Sequence, residues 1–220
     1  VIMSPTDTWK LSDVNIKPQR GWQAAAGLYL NSPSGIWEYS VEGYYKRMSD
    51  YLDYRGGAKL LMNHHIETDV INTQGHAYGV ELQVKKQVGK LNGWMSYTYS
   101  RTFLRQNDKR IEKPVNNGDW YPTEYDKPHD FKFVGNYKFT HRYSMSINVD
   151  YSTGRPTTIP AGQYYDESTQ SMRVYYTERN SYRIPDYFRT DISFNIEPSH
   201  HLTLLTPVSY THLRAHETRR

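Results

Sequence analysis

The sequence predicts an all-β fold, an antiparallel up-and-down meander that forms part of a transmembrane β-barrel of about eight strands. Two observations predict it. Segments of roughly ten residues alternate apolar and polar side chains, and this period of two gives a strand one apolar and one wet face. The links between segments are alternately very short and very long, as in outer-membrane barrels, where tight turns lie on one side and long loops on the other.

The short links carry turn-forming residues, and the long links are polar and rich in tyrosine. The short links lie at 32–35, 89–90, 140–142 and 198–200. The long links lie near 50–74, 106–128 and 154–187. The architecture of a soluble β-sandwich does not require all tight turns to lie at one end, so this pattern favours a barrel.

Each strand is predicted from the parity of its side chains. We expect strands at 20–31, 36–53, 67–88, 91–105, 129–139, 143–153 and 188–197, and the start of another at 202–205. In that order, the apolar faces of the first seven consist of Trp22, Ala24, Ala26, Leu28 and Leu30; Trp37, Tyr39, Val41, Gly43 and Tyr45; Tyr78, Val80, Leu82, Val84 and Val88; Leu91, Gly93, Met95, Tyr97 and Tyr99; Phe131, Phe133, Gly135, Tyr137 and Phe139; Tyr143, Met145, Ile147, Val149 and Tyr151; and Phe188, Ile192, Phe194 and Ile196.

The length and side-chain placement of these segments suit a bilayer. Roughly 9–11 tilted residues cross the hydrocarbon region, and aromatic residues collect near the segment ends, where two interfacial girdles are expected. Lys86 interrupts one apolar face near a short turn, where a long side chain can snorkel to the interface. No apolar run approaches the roughly 20 residues of a membrane helix.

The bulk composition narrows the function classes. The 220 residues include no cysteine, which excludes disulfides and thiolate metal sites, and 21 tyrosines, which suit strands and membrane interfaces. The net charge is +4, but acidic and basic residues are interspersed, so nucleic acid is not an expected partner. The chain begins with Val1, and we expect it to be a piece of a longer polypeptide.

No group of residues predicts catalysis, a cofactor or a metal. His64 and His65 point to opposite faces if they lie in a strand, so they and Glu67 do not converge on an ion. Asp126 and His129 resemble parts of a triad, but no nucleophile stands in a strained turn nearby, and we expect this segment to lead a loop back into a strand. The sequence therefore predicts that the chain is not an enzyme.

The candidate functional residues fall into two groups. Rigid amphipathic rings in the long links are suited to gripping ligands, although they are equally able to pack loops together. The candidate ligand contacts are Trp120, Tyr121, Tyr164, Tyr165, Tyr175 and Tyr176. Charges on the polar parity suit a water-filled or plugged lumen. The candidate lumen-facing residues are Glu42, Glu81, Lys85, Asp150, Arg189 and Asp191.

Several stretches resemble the C-terminal barrel half of TonB-dependent outer-membrane receptors of Bacteroidetes type. They are EYSVEGYYKRMSDYLDY at 38–54, GAKL at 57–60, GHAYGVELQVKKQVGKLNGWMSYTYSRT at 75–102, YDKPHDF at 125–131, STGRPTTIP at 152–160 and RNSYRIPDYFRTDISF at 179–194. The resemblance spans about 20–205, with the segments in the family's order.

The resemblance implies a 22-stranded barrel plugged by an N-terminal domain that this chain lacks. Such receptors lie in the Gram-negative outer membrane, in contact with its lipid. They import scarce large ligands, such as iron chelates, cobalamin, glycans or peptides, with energy relayed through TonB. Residues 1–206 are then expected to be the C-terminal part of the barrel. The last fourteen residues, PVSYTHLRAHETRR at 207–220, resemble translated read-through of a sequencing adapter, and we expect a non-native, disordered tail there.

Two alternatives stay open. A secreted β-rich module that binds carbohydrate or a surface would bury its apolar parity between two sheets, whereas a barrel displays it as one outward belt. A passive porin would share the belt. In either membrane case, a fragment with two raw sheet edges is not expected to form a stable monomer on its own.

Overall fold

The computed structural model describes residues 12, 16–54, 69–106, 114–167 and 170–197 of the chain. Its strands, in chain order, are β1 (Arg20–Asn31), β2 (Trp37–Tyr54), β3 (Val70–Lys86), β4 (Leu91–Gln106), β5 (Tyr121–Pro122), β6 (His129–Lys138), β7 (Tyr143–Ser152), β8 (Pro156–Thr157), β9 (Pro160–Asp166), β10 (Ser171–Tyr176), β11 (Tyr182–Arg183) and β12 (Tyr187–Ile196). No helix within these residues is both long and apolar enough to cross a membrane.

Seven long strands form one open antiparallel sheet. Its order is β1-β2-β3-β4-β6-β7-β12, and the two-residue β5 pairs with β4 beyond the end of β6. The predicted all-β meander is therefore confirmed, and the seven predicted long strands match to within about three residues. The strand expected at 202–205 lies outside the described residues.

The register places the predicted apolar side chains of all seven long strands on one face of the sheet. One row crosses the whole sheet through directly opposed residues: Leu28, Val41, Leu82, Tyr97, Phe131, Tyr151 and Phe188. We call the face that carries this row the apolar face, and the opposite one the polar face. Because side chains alternate exactly, a slip of one residue between any two strands would have mixed the faces.

The apolar face is uncovered. Leu28 is 59% exposed and Phe188 61% at the two edges, and Leu82 is still 41% exposed in the interior of the sheet. Within the described residues, therefore, no second sheet packs on this face to make the dry core of a sandwich. The expected alternative of a soluble two-sheet module is not what these residues form.

The two ends of the sheet are built differently. At the end we call the turn end, 32–35 and 140–142 close tight hairpins, and Ser32 N–H donates to the carbonyl of Trp37 at 2.8 Å. Lys86 lies directly opposite Trp37, with its Nζ 5.5 Å from the indole centroid. The ammonium of this apolar-face lysine therefore lies against an aromatic ring at the turn end.

At the other end, which we call the loop end, β2, β3 and β4 extend beyond their neighbours and the side chains are more tightly packed. β2 contains a bulge between Met48 and Tyr51, with Asp50 at φ 55°. Beyond it the chain buries Ile71, Leu104 and Tyr121. The link at 154–187, predicted as a loop, contains a β9–β10 hairpin and a β8–β11 pair. These strands are short, and β9 does not alternate apolar and polar residues, so the sequence did not reveal them.

Candidate functional site at the loop end and on the polar face

All six predicted lumen residues lie on the polar face. Glu42 and Glu81 are direct cross-strand partners on β2 and β3, and Asp150 and Arg189 are direct partners on β7 and β12. Like charges directly opposed destabilise a sheet unless a cation or a donor balances them. The Tyr29 hydroxyl donates to Glu42 Oε2 at 2.9 Å, which balances part of this charge.

Ion pairs connect the remaining charges of this face. Lys85 Nζ lies 3.4 Å from Glu38 Oε2, and Arg189 Nε lies 2.8 Å from Asp191 Oδ2. Lys85, Glu38 and Arg189 are each at least 40% exposed, so each pair adds little to stability. The polar face is thus a wet, charged surface with an acidic site at Glu42–Glu81, and it contrasts with the uncovered apolar face behind it.

A buried carboxylate joins three segments at the loop end. The side chain of Asp126 is fully buried and forms an ion pair with Arg183 across 57 residues of sequence. Its Oδ1 accepts the Thr102 N–H at 2.7 Å and lies 3.4 Å from Arg101 Nε. The Arg183 guanidinium also donates to the carbonyls of Asp126 and Gly154 at 2.8 and 2.9 Å. Removing this carboxylate would leave the Thr102 N–H without its acceptor and both arginines without their counter-ion.

Sequence reasoning placed Asp126 in a segment that returns to a strand, and missed its anchoring role. His129, the other residue of the apparent triad, accepts or donates a bond at Nδ1 with the Tyr97 hydroxyl, 2.8 Å away. In the described part of the chain, Asp126 bonds to Thr102 and Arg183 rather than to His129. The sequence did not reveal that Arg183 pairs with Asp126, because a single sequence carries no signal linking residues 57 positions apart.

A second anchor fixes the segment around Tyr121. The ring of Tyr121 is 1% exposed, and its hydroxyl donates to Asp53 Oδ2 at 2.7 Å. The Arg179 guanidinium donates to the same oxygen at 2.7 Å and lies 5.9 Å from the Tyr121 ring centroid. Burial and the neighbouring Asp53 carboxylate raise the pKa of Tyr121 well above its usual range. Tyr121 therefore stays neutral, and its buried side chain anchors this loop to β2 through Asp53.

Asparagines complete the connection between the two long links. The Asn116 side chain pairs with the backbone of Arg179, accepting its N–H at 2.7 Å and donating to its carbonyl at 3.0 Å. Asn180 Nδ2 donates to the Pro122 carbonyl at 2.8 Å. These amides satisfy backbone groups that would otherwise lack partners and so join the two links beside the buried apolar residues of this end.

The backbone of Gly154 lies close to the backbone of Ile184. A Cβ atom at Gly154 would lie 1.7 Å from the Ile184 carbonyl oxygen, so only glycine fits. Its N–H donates to Asp186 Oδ1 at 2.9 Å. That bond, together with a second from the Tyr151 hydroxyl, lowers the pKa of Asp186.

A cleft opens between the end of β2 and these anchored links. Its wall includes Tyr51, Tyr54, Glu124, Tyr125 and Arg179. The Tyr51 and Tyr125 hydroxyls are 3.0 Å apart, and burial raises the pKa of Tyr125. Neutral phenols, the Glu124 carboxylate and the Arg179 guanidinium, which is paired with Asp53, suit recognition of a polar ligand through hydrogen bonds.

The predicted ligand contacts separate into three places. Tyr121 is buried beneath the cleft, whereas Trp120 lies on the apolar face against His76, at 4.4 Å between ring centroids. Tyr164, Tyr165 and Tyr175 are exposed on the β9–β10 hairpin, as is Tyr176. Of the six predicted contacts, the four hairpin tyrosines are the most exposed, at 52–64%, and Trp120 is 42% exposed.

Metal-binding side chains do not converge in the part of the chain that the structure describes. No group of three His, Asp or Glu residues there is arranged to hold an ion. His64, His65 and Glu67, considered above as metal ligands, lie outside the described residues.

An open antiparallel sheet with a continuous uncovered apolar face and long links at one end defines a class: a segment of a transmembrane-type β-barrel. A family model for the β-barrel of TonB dependent receptor-like proteins matches residues 4–206. The chain belongs to this family of TonB-dependent receptor barrels. The family consists of transport receptors rather than enzymes, as the sequence predicted.

Two solved structures share the fold. The ferripyoverdine receptor of the outer membrane of Pseudomonas aeruginosa, bound to ferripyoverdine, aligns with a TM-score of 0.50 at 10% identity, over 84% of this chain and 22% of the receptor. The FrpB iron transporter from Neisseria meningitidis (F3-3 variant) aligns with a TM-score of 0.52 at 13% identity, over 86% of this chain and 26% of the transporter. A comparison with curated proteins finds no match. The chain thus spans about a quarter of the length of these two structures.

Proposed function

We propose that this chain is the C-terminal part of the barrel of a TonB-dependent outer-membrane receptor of Bacteroidetes type, which imports a large scarce ligand by energy-coupled transport. The observation that carries the proposal is the row of apolar side chains in register across seven strands, backed by a charged face. In a closed barrel, the apolar face meets lipid and the polar face lines the interior.

The proposal assigns residues 1–206 to the barrel and leaves an N-terminal plug and the earlier strands to the rest of the receptor. The family match ends at residue 206, which supports this boundary. Residues 207–220 would then be a non-native tail. Amplifying and sequencing the source DNA across codon 206 tests the tail directly: a native continuation would replace PVSYTHLRAHETRR with another alternating strand.

On the polar face, the six lumen residues would contact the plug or the passage. The Glu42–Glu81 pair is the strongest candidate for a plug contact, since two opposed carboxylates favour a cation between them. At the loop end, the hairpin tyrosines and the cleft beside Tyr125 would receive the ligand, and Tyr121 would support that surface from beneath. The ligand class stays open among iron chelates, cobalamin, glycans and peptides.

Uptake by cells that carry the complete receptor tests the function. Cells would be supplied with ⁵⁵Fe-loaded chelates, ⁵⁷Co-cobalamin, and fluorescent oligosaccharides and peptides, each with and without a protonophore. We expect one class to accumulate only when the proton gradient and TonB are intact. A passive porin would admit its solute under all conditions, and a secreted binding module would give cell-free binding without uptake; either result would replace the proposal.

A further inference from the structure

A basic and aromatic patch lies on the apolar face at the loop end. Arg47 and His76 are direct cross-strand partners, and His76 is in turn opposite Phe103. They share the parity of Tyr45, Tyr78 and Tyr99 on the same three strands. Their side chains therefore point to the outside of the proposed barrel, on the loop-end side of Tyr45, Tyr78 and Tyr99.

Ring contacts hold the patch together. The His76 imidazole lies 5.4 Å from Phe103 and 4.4 Å from Trp120, between ring centroids. The Arg105 guanidinium lies 4.9 Å from the Trp120 ring centroid. Because β5 pairs Tyr121 with Leu104, Trp120 falls beside Arg105 on the outward side. We call Arg47, His76, Phe103, Arg105 and Trp120 the outward patch.

The charge of the outward patch is uncompensated within the described residues. Arg101, on the same face, pairs with Asp126, whereas neither Arg47 nor Arg105 forms an ion pair with a described carboxylate. Both side chains are exposed. On the polar face, by contrast, Lys85 and Arg189 each have an acidic neighbour. Within the described residues, Arg47 and Arg105 thus lack the acidic partner that the cations of the polar face have.

The height of the patch matches the headgroup region of a bilayer. Arg47 follows Tyr45 by two residues, which is roughly 7 Å along a strand. Tyrosines mark the boundary between hydrocarbon and headgroups, so Arg47 lies at the level of the headgroups themselves. At that level the available counter-ion is a lipid phosphate, which guanidinium groups bind through paired hydrogen bonds.

We infer that the outward patch binds a phosphate-bearing lipid headgroup in the leaflet at the loop end, with Arg47 and Arg105 on phosphate and Trp120 against the apolar part of the headgroup. The inference rests on the proposed membrane insertion. It assigns Trp120 to lipid rather than to the imported ligand. The site would hold one lipid against the barrel wall, independently of transport.

Native mass spectrometry of the complete receptor in detergent tests the inference. The probes are lipid A with its phosphates and the same lipid after enzymatic dephosphorylation. We expect the phosphorylated lipid to bind at least tenfold more tightly, and the double variant R47Q/R105Q to lose that preference. Arg47→Lys with Arg105→Lys should retain part of it, because the charge remains while the paired hydrogen bonds are lost.

Lys46 provides the matched control, because it neighbours Arg47 but lies on the polar face. Lys46→Gln removes one charge and should leave lipid binding unchanged. Equal binding of phosphorylated and dephosphorylated lipid, or an equal loss in K46Q and the double variant, would overturn the inference. A receptor that stays soluble without detergent would instead overturn the proposed membrane insertion, so the two failures are distinguishable.

Discussion

The two parts of the loop end differ in how they are held. The segment around Tyr121 and Asp126 is buried and bound through side chains to β2, β4 and β11. The β9–β10 hairpin keeps its tyrosines exposed and is joined chiefly through its own strand pairing. A binding surface needs a rigid base and accessible contact residues, and here the two requirements fall on different segments.

The largest effect is expected from Asp126→Ala. It removes a fully buried carboxylate that accepts the Thr102 N–H and pairs with Arg183 and Arg101, so the local free energy of opening should fall by about 3 kcal/mol. In the complete receptor, hydrogen exchange at the Thr123 and Ile184 amides should accelerate on the order of 100-fold. Asp130→Ala is the control, since its Lys132 partner is 3.8 Å away and solvated. Equal effects of the two variants would show that the anchor is not at Asp126.

A smaller effect is expected from Tyr121→Phe. It removes one hydrogen bond to a carboxylate that Arg179 still holds, at a cost of about 2 kcal/mol in local stability. Tyr125→Phe breaks only a bond between neutral hydroxyls and should cost about 1 kcal/mol. Hydrogen exchange at the same amides measures both variants, and the reverse ranking would contradict the assignment of Tyr121 as an anchor.

The hairpin should behave in the opposite way. Tyr164→Ala with Tyr175→Ala removes exposed rings, so local stability should change by less than about 0.5 kcal/mol. If these rings contact the ligand, its affinity for the receptor should fall about tenfold or more in an uptake or binding assay. Unchanged affinity would move the ligand contacts to the cleft beside Tyr125.

The smallest effect concerns pH. The Gly154 N–H, and then the Tyr151 hydroxyl, lower the pKa of Asp186 below its ordinary value of 3.8. The folded state therefore gains stability above that value, and the gain is lost as pH falls through the folded-state pKa. Protection of the Gly154 amide should be constant from about pH 7 to 5 and decline below about pH 4. In Asp186→Asn, a decline of the same size would exclude Asp186 as its cause.

The sequence was sufficient to predict the sheet, because alternation and turn length are local signals. The parity of segments such as 78–88 predicted both the strand and its faces. The β9–β10 hairpin was missed because its strands are short and β9 does not alternate apolar and polar residues. The anchors were missed because Asp126 with Arg183, and Asp53 with Arg179, are far apart in sequence.

The most direct test of the account is the environment of successive residues on β3 in the complete receptor. This chain has no cysteine, so single cysteines carrying spin labels can be placed at positions 80 to 85 without background from it. Labels at Val80, Leu82 and Val84 should be accessible to a lipid-soluble relaxation agent, and labels at Glu81, Gln83 and Lys85 to a water-soluble one. Uniform accessibility, or the reverse alternation, would contradict an apolar face that meets hydrocarbon.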